Sequence, residues 1–96
     1  MKKGYWVVAY RAVLDESAVE EYGKLALTAI EAGGGRFVIR ASEVQPREFG
    51  INQRLVVTEF DSFEKAVATY NGAAYQEALR VLGSAAERDF RIVEGV

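Results

Sequence analysis

Cysteine and histidine are both missing from the 96 residues, and methionine and proline occur once each, as Met1 and Pro46. Without thiols or imidazoles the chain has no thiolate nucleophile, no redox pair, no imidazole base and none of the usual zinc or haem ligation. Excess charge is missing too. Twelve Lys and Arg stand against fourteen Asp and Glu, a net of -2, so the basic footprint of a phosphate-binding surface is lacking and no nucleic-acid partner is expected. No apolar run comes near the roughly 20 residues of a membrane span. The stretch Tyr5 to Tyr10 is too short for the core of a secretory signal and runs into Arg11, so no membrane partner and a cytoplasmic location are expected. No motif for a metal or an organic cofactor is present, and neither is expected. What remains is an ordinary globular composition, half apolar and 27% charged, which fits a single domain over residues 1–96.

Gly4 to Ala12 is rich in aromatic and β-branched residues and apolar on both alternation faces, the pattern of a central strand. Ser17-Ala18-Val19-Glu20 has the spacing of a capping box, with Asp15 and Glu16 suiting the positive helix end, and predicts a helix over 17–32. Val19, Tyr22, Ala26, Ala29 and Ile30 form its apolar stripe, and Gly33-Gly34-Gly35 ends it. From Arg36 to Ala41, Arg36, Val38 and Arg40 alternate with Phe37 and Ile39, which predicts an edge strand with one buried face. Ser42 to Gln53 holds Pro46 and Gly50 and reads as a long, mobile hairpin loop. Arg54 to Phe60 is another strand apolar on both faces. Asp61 and Glu64 predict the cap of a second helix, whose stripe of Ala66, Val67 and Tyr70 is interrupted at Asn71-Gly72 and resumes with Tyr75, Ala78, Leu79 and Leu82. Phe90 to Glu94 reads as a short last strand.

Strand, helix, strand, strand, helix, strand makes two βαβ halves, residues 4–41 and 54–95. Right-handed crossovers then place both helices on one side of a four-stranded antiparallel sheet, an α+β, ferredoxin-like βαββαβ fold with the first and third strands central. The other sheet face would expose alternate members of Tyr5, Trp6, Val7, Val8, Leu55, Val56 and Val57, more than soluble monomers leave open. The chain is therefore expected to be its own partner, in a two-fold homodimer through that face.

Acid–base work falls to Asp, Glu, Lys or Tyr. Glu59, inside a strand beside Val57 and Phe60, is the candidate catalytic base; the plainer reading is a salt bridge to Arg36, Arg40 or Arg54. Alternation puts Glu59 on the open face with Leu55 and Val57, and Arg36 and Arg40 opposite Phe37 and Ile39, so carboxylate and guanidinium could converge there. Tyr70 and Tyr75 flank the helix break, where a phenol and unpaired backbone groups could meet a ligand, although the break also lets the helix wrap the sheet. Tyr70 is the second catalytic candidate. Trp6, Arg40 and Tyr75 are the candidate ligand-binding residues, with Arg40 holding an anionic group. A small anionic or aromatic ligand is expected beside the break, within reach of Glu59. Tyr22 reads as core, and Arg88 as part of a solvated face. Gly33-Gly34-Gly35 follows a helix and precedes a strand, the reverse of a phosphate-binding loop.

KGYWVV at the start, GGGRFVIR, RLVVTEF with its following D-S-F-E-K-A, YNGAAYQEAL and the terminal IVEGV together resemble the domain-of-unknown-function family 1330 over nearly the whole chain. The resemblance implies the dimeric α/β barrel superfamily, in which two ferredoxin-like protomers pack sheet against sheet. Relatives there include cofactor-free monooxygenases, lactone isomerases, dechlorinases and haem-degrading proteins, while the family itself has no generally assigned reaction. Tyr5 and Trp6 match its opening motif, Arg36 and Arg40 its second strand, Arg54, Glu59 and Phe60 its third, and Tyr70, Tyr75 and Gln76 its broken helix. Two positions depart: Gly72 stands where the family often has Ser, and Leu82 where it often has Arg, so a site built on those groups would be altered here. The haem-degrading branch relies on an axial His, which this chain lacks. The expected function is a homodimeric small-molecule-binding protein, read as a cofactor-free, monooxygenase- or isomerase-like enzyme for a small organic acid, lactone or aromatic compound. The alternative is a non-catalytic metabolite-binding or structural dimerisation protein.

Overall fold

Residues 2–96 are described by a computed structural model. The elements are β1 (Gly4–Val13), α1 (Glu16–Ala32), β2 (Arg36–Ala41), β3 (Leu55–Phe60), α2 (Phe63–Asn71), α3 (Ala73–Leu82) and β4 (Ala86–Glu94). The strands pair antiparallel in the order β2-β3-β1-β4. This is the ferredoxin-like arrangement with its second helix split, βαββααβ, and the two strands apolar on both faces are the central ones.

The stripe spaced along α1 is the set that is buried: Val19, Tyr22, Ala26, Ala29 and Ile30. The caps differ from expectation by two residues in the first helix and by one in the second. Asp15, not Ser17, caps α1, accepting from the Ala18 amide at 3.2 Å while the Ser17 hydroxyl donates to the same carboxylate oxygen. Helical geometry already begins at Glu16, so Ser17 lies inside the first turn, and a carboxylate is the stronger acceptor at the positive helix end. Ser62, not Asp61, caps α2 by accepting from the Lys65 amide. Asp61 instead sits among Lys3, Arg36 and Lys65, all within 4 Å. At the break Gly72 is extended (φ -71°, ψ 158°). Its amide donates to Thr69 and its carbonyl starts α3 by accepting from Gln76, whose side-chain amide reaches back to the Tyr70 carbonyl at 2.8 Å.

β4 is longer than Phe90–Glu94: it pairs with β1 from Ala86 opposite Val13 to Glu94 opposite Gly4. The charged residues at 87–89 hid its first half. Alternation places Trp6, Val8 and Tyr10 of β1, Thr58 and Phe60 of β3, and Arg88, Phe90 and Ile92 of β4 on the helix side. The Trp6 indole N–H donates to the Ala66 carbonyl at 2.8 Å, tying α2 to the centre of the sheet. α1 packs chiefly on α3, while α2 rests on the strands.

A correction concerns β2. Phe37 opposes Thr58 and Ile39 opposes Val57, which leaves Val38 as an extra residue, a β-bulge. Beyond it the alternation inverts. Ile39 turns to the open face and is 43% exposed, whereas Arg40 opposes Val56 on the helix side. The open face thus carries Tyr5, Val7, Leu55, Val57, Ile39 and Val93, and at one end Glu59. The Glu59 carboxylate accepts from the Tyr5 hydroxyl at 2.7 Å and from the Arg36 guanidinium at 2.8 Å.

Those partners, Tyr5 foremost and then Arg36, hold the Glu59 carboxyl below its ordinary range, against a smaller opposing effect of desolvation. A folded-state pKa below the unfolded one gives stabilisation that is present above the unfolded value, about 4.3, and is lost as pH falls through the folded value. Glu59→Gln is therefore expected to be less stable than the parent at pH 7, with the difference shrinking as pH falls below the unfolded value of about 4.3. Urea denaturation of both proteins across that range checks this; a gap that persists undiminished at low pH would contradict it.

Candidate functional site: an arginine-lined cavity under the first helix

Because α1 leans on α3, it leaves a cavity of about 180 Å³ between itself and the sheet. The floor is Trp6, Val8 and Tyr10 of β1 with Val56 and Thr58 of β3, the flanks are Phe37 and Phe90, and the roof is Val19, Tyr22, Gly23, Ala26 and Ile30 of α1. Three arginines complete the wall, Arg40, Arg54 and Arg88, and no Asp or Glu does.

Each guanidinium is held over a ring. Arg40 lies 4.7 Å from the Phe37 centroid, placed there by the bulge. Arg54, immediately before β3, lies 5.4 Å from Tyr10 and is paired at 2.8 Å with Glu16. Its Nε is buried and has no hydrogen-bond partner. Arg88 lies 5.0 to 5.6 Å from the rings of Tyr22, Phe90 and Tyr10, and donates to the Tyr22 hydroxyl at 3.0 Å. Among the described residues neither Arg40 nor Arg88 meets a carboxylate. Stacking on aromatic faces offsets part of the cost of desolvating these cations, at about 0.5–1 kcal/mol each. The local charge is left open to an anion.

Behind the wall the Tyr22 and Tyr75 hydroxyls hydrogen-bond to each other at 2.5 Å. Burial raises the pKa of both phenols, with the Arg88 charge opposing. At neutral pH they are proton-bearing donors, not bases. With no carboxylate or imidazole on its wall, the cavity is equipped to bind and polarise an anionic oxygen rather than to abstract a proton.

Gly23 has no counterpart in ordinary helix design. It occupies the stripe of Val19, Ala26 and Ile30, in mid-helix, where Gly costs about 1 kcal/mol relative to Ala. A Cβ built on it would meet nothing within 4 Å. No crowding neighbour requires glycine there, and its small size leaves the cavity roof open.

Of the residues chosen from sequence, Trp6 and Arg40 reach this cavity. Tyr75 is fully buried one layer behind, touching Tyr22. Tyr70 is off the wall, half-buried against Phe90, Tyr75 and Trp6 at centroid distances of 5.1 to 6.0 Å. Glu59 is on the opposite face of the sheet. The expected meeting of Glu59 with Arg40 does not occur, because the Val38 bulge sends Arg40 through to the helix side; Arg36 is the arginine that Glu59 meets. The Tyr70–Tyr75 break lies outside this cavity's lining, and Gln76 and Gly72 pair its backbone locally. Tyr22, Gly23 and Arg88 were missed. Arg88 shares parity with Phe90 and Ile92, a signal that a longer last strand would have exposed.

In structure, the chain is similar to a protein of unknown function from Rhodopseudomonas palustris at 15% identity and a TM-score of 0.80, covering 99% of this chain and 83% of that one. It is also similar to a dimeric protein of unknown function and ferredoxin-like fold from Bacteroides fragilis (17% identity, TM-score 0.58, 96% and 95% covered). A third likeness is to a Nitrosomonas europaea protein provisionally described as an antibiotic biosynthesis monooxygenase (14% identity, TM-score 0.55, 99% and 90% covered). No curated protein is detectably similar in sequence. No helix among the described residues is long and apolar enough to cross a membrane. These likenesses are of the ferredoxin-like fold, and with residues 3–96 matched, the chain belongs to the family described as domain of unknown function DUF1330.

Proposed function

We propose that this protein is a homodimeric small-molecule-binding protein whose cavity under α1 takes a small organic anion. The observation that carries the reading is the wall itself: Arg40 and Arg88 without a carboxylate partner, and Arg54 paired with Glu16 but keeping a buried unpartnered Nε, around an otherwise largely apolar and aromatic space. A carboxylate ligand would supply the missing counter-charge, with the planar, two-pronged geometry that Arg matches. Turnover of that ligand by a cofactor-free, monooxygenase- or isomerase-like route is the second reading. The proton-bearing Tyr22 beside Arg88 favours it, being a preorganised donor for an oxyanion that develops on a bound substrate. Self-association is supported by the apolar open face and by the dimeric Bacteroides fragilis relative.

Thermal melting with paired small acids and their neutral amides checks the ligand class. Carboxylates are expected to raise Tm and the amides to leave it unchanged, with a stabilisation of about 2.7 kcal/mol at a hundredfold excess over Kd. A set in which no carboxylate stabilises the protein rejects the reading. Gly23→Leu provides the steric control: it should fold with an unchanged or higher Tm and lose the carboxylate response. For the assembly, light scattering should give twice the protomer mass of 10.6 kDa at micromolar concentration. Val57→Asp, in the middle of the open face, should give the single mass.

A further inference from the structure

The hydrogen-bond order behind the cavity identifies what the ligand meets first. Tyr75 is completely buried, and its hydroxyl has one hydrogen-bond partner among the described residues, the Tyr22 hydroxyl. A buried donor without an acceptor costs about 1–3 kcal/mol, so the shared proton is the one on Tyr75, donated to Tyr22. Arg88 can only donate, and it donates to the same Tyr22 oxygen. Tyr22 therefore accepts twice, and its own proton has no acceptor left in the described protein. Two incoming donors polarise that O–H in a low-dielectric setting. Tyr22 is on the cavity wall and Tyr75 is not.

We propose that Tyr22 is the hydrogen-bond donor to the anionic oxygen of the ligand, with Arg88 alongside it, and that the ligand is a single-ring aromatic carboxylate. The proposal rests on the anion-binding reading above and narrows it. Size sets the single ring: the cavity holds about 180 Å³, and an apolar cavity of about 150 Å³ is known to accept benzene. Wall chemistry sets the aromatic body, since Trp6, Tyr10, Phe37 and Phe90 offer ring faces and edges, and Thr58 is the one aliphatic hydroxyl among the lining residues. Arg40 and Arg54 approach from the β2–β3 side, where they also flank a shallow surface groove with Ser42. They neutralise the remainder of the ligand's field as it enters.

Benzoate, acetate, succinate and benzamide, titrated calorimetrically into the intact protein, test this. Benzoate is expected to bind at least tenfold more tightly than acetate, succinate or benzamide. Tyr22→Phe keeps the ring and removes the donor, so benzoate affinity should fall by about tenfold or more. Tyr75→Phe, which removes only the polarising donor, should lose less. In the unmodified protein the Tyr22 hydroxyl proton should move downfield in NMR spectra on addition of benzoate, a readout that stands even if Tyr22→Phe fails to fold. Unchanged benzoate affinity in Tyr22→Phe, an unmoved hydroxyl proton, or acetate or succinate binding as tightly as benzoate overturns the proposal while leaving the anion site intact. Failure of every carboxylate to bind overturns the anion site and this proposal together.

Discussion

A four-stranded sheet presents two faces, and this chain carries helical cover for one of them. Everything else in the structure is arranged around that inequality. The central strands β1 and β3 are apolar on both sides, although helices cover only one of them. Polar groups on the uncovered side are therefore paired among themselves. Tyr5, Glu59 and Arg36 form one closed set there, and Arg91 with Asp89 forms another.

On the covered side the inequality recurs at smaller scale. A helix lying flush on the sheet would seal the core, but α1 finds its main partner in α3, and the sheet beneath it is left short of side chains. Natural cores rarely tolerate such a gap when it is lined by cations. Here the guanidinium heads rest on ring faces, an accommodation that planar, weakly hydrated guanidinium makes more readily than ammonium. Trp6, Tyr70 and Tyr75 are thus mainly scaffold, and the rings around them, Tyr10, Tyr22, Phe37 and Phe90, are the ones that hold charge.

Much of this was legible in the residues themselves, and the boundary of legibility is physical. The α1 stripe could be read because helical spacing repeats over about three turns from Val19 to Ile30 and one register satisfies all its apolar positions. The break at Gly72 could be read because no stable helix carries Asn-Gly through its interior without a reason. Caps slipped by one or two residues because Asp15 and Ser17, or Asp61 and Ser62, are chemically competent at either place, and only the first helical φ, ψ pair decides. Arg88 was hidden because charged neighbours on both sides look like a solvated turn until pairing with β1 is known. Glu59 was placed on the correct face, and its partner was among the three arginines named for it. Arg40 went astray because alternation is a local rule, and a bulge breaks it without leaving a mark in composition.

That bulge has an evolutionary reading. An extra residue in an edge strand acts as a frameshift in space: every side chain after Val38 exchanges interior for exterior while the sequence on either side stays the same. Substitution alone can change what Arg40 is, but only an insertion or a deletion changes which compartment position 40 serves. Removing one residue between Gly35 and Arg40 would therefore return this guanidinium to the open face beside Ile39's present place and leave the cavity with two arginines, a change of compartment made without altering a single side chain.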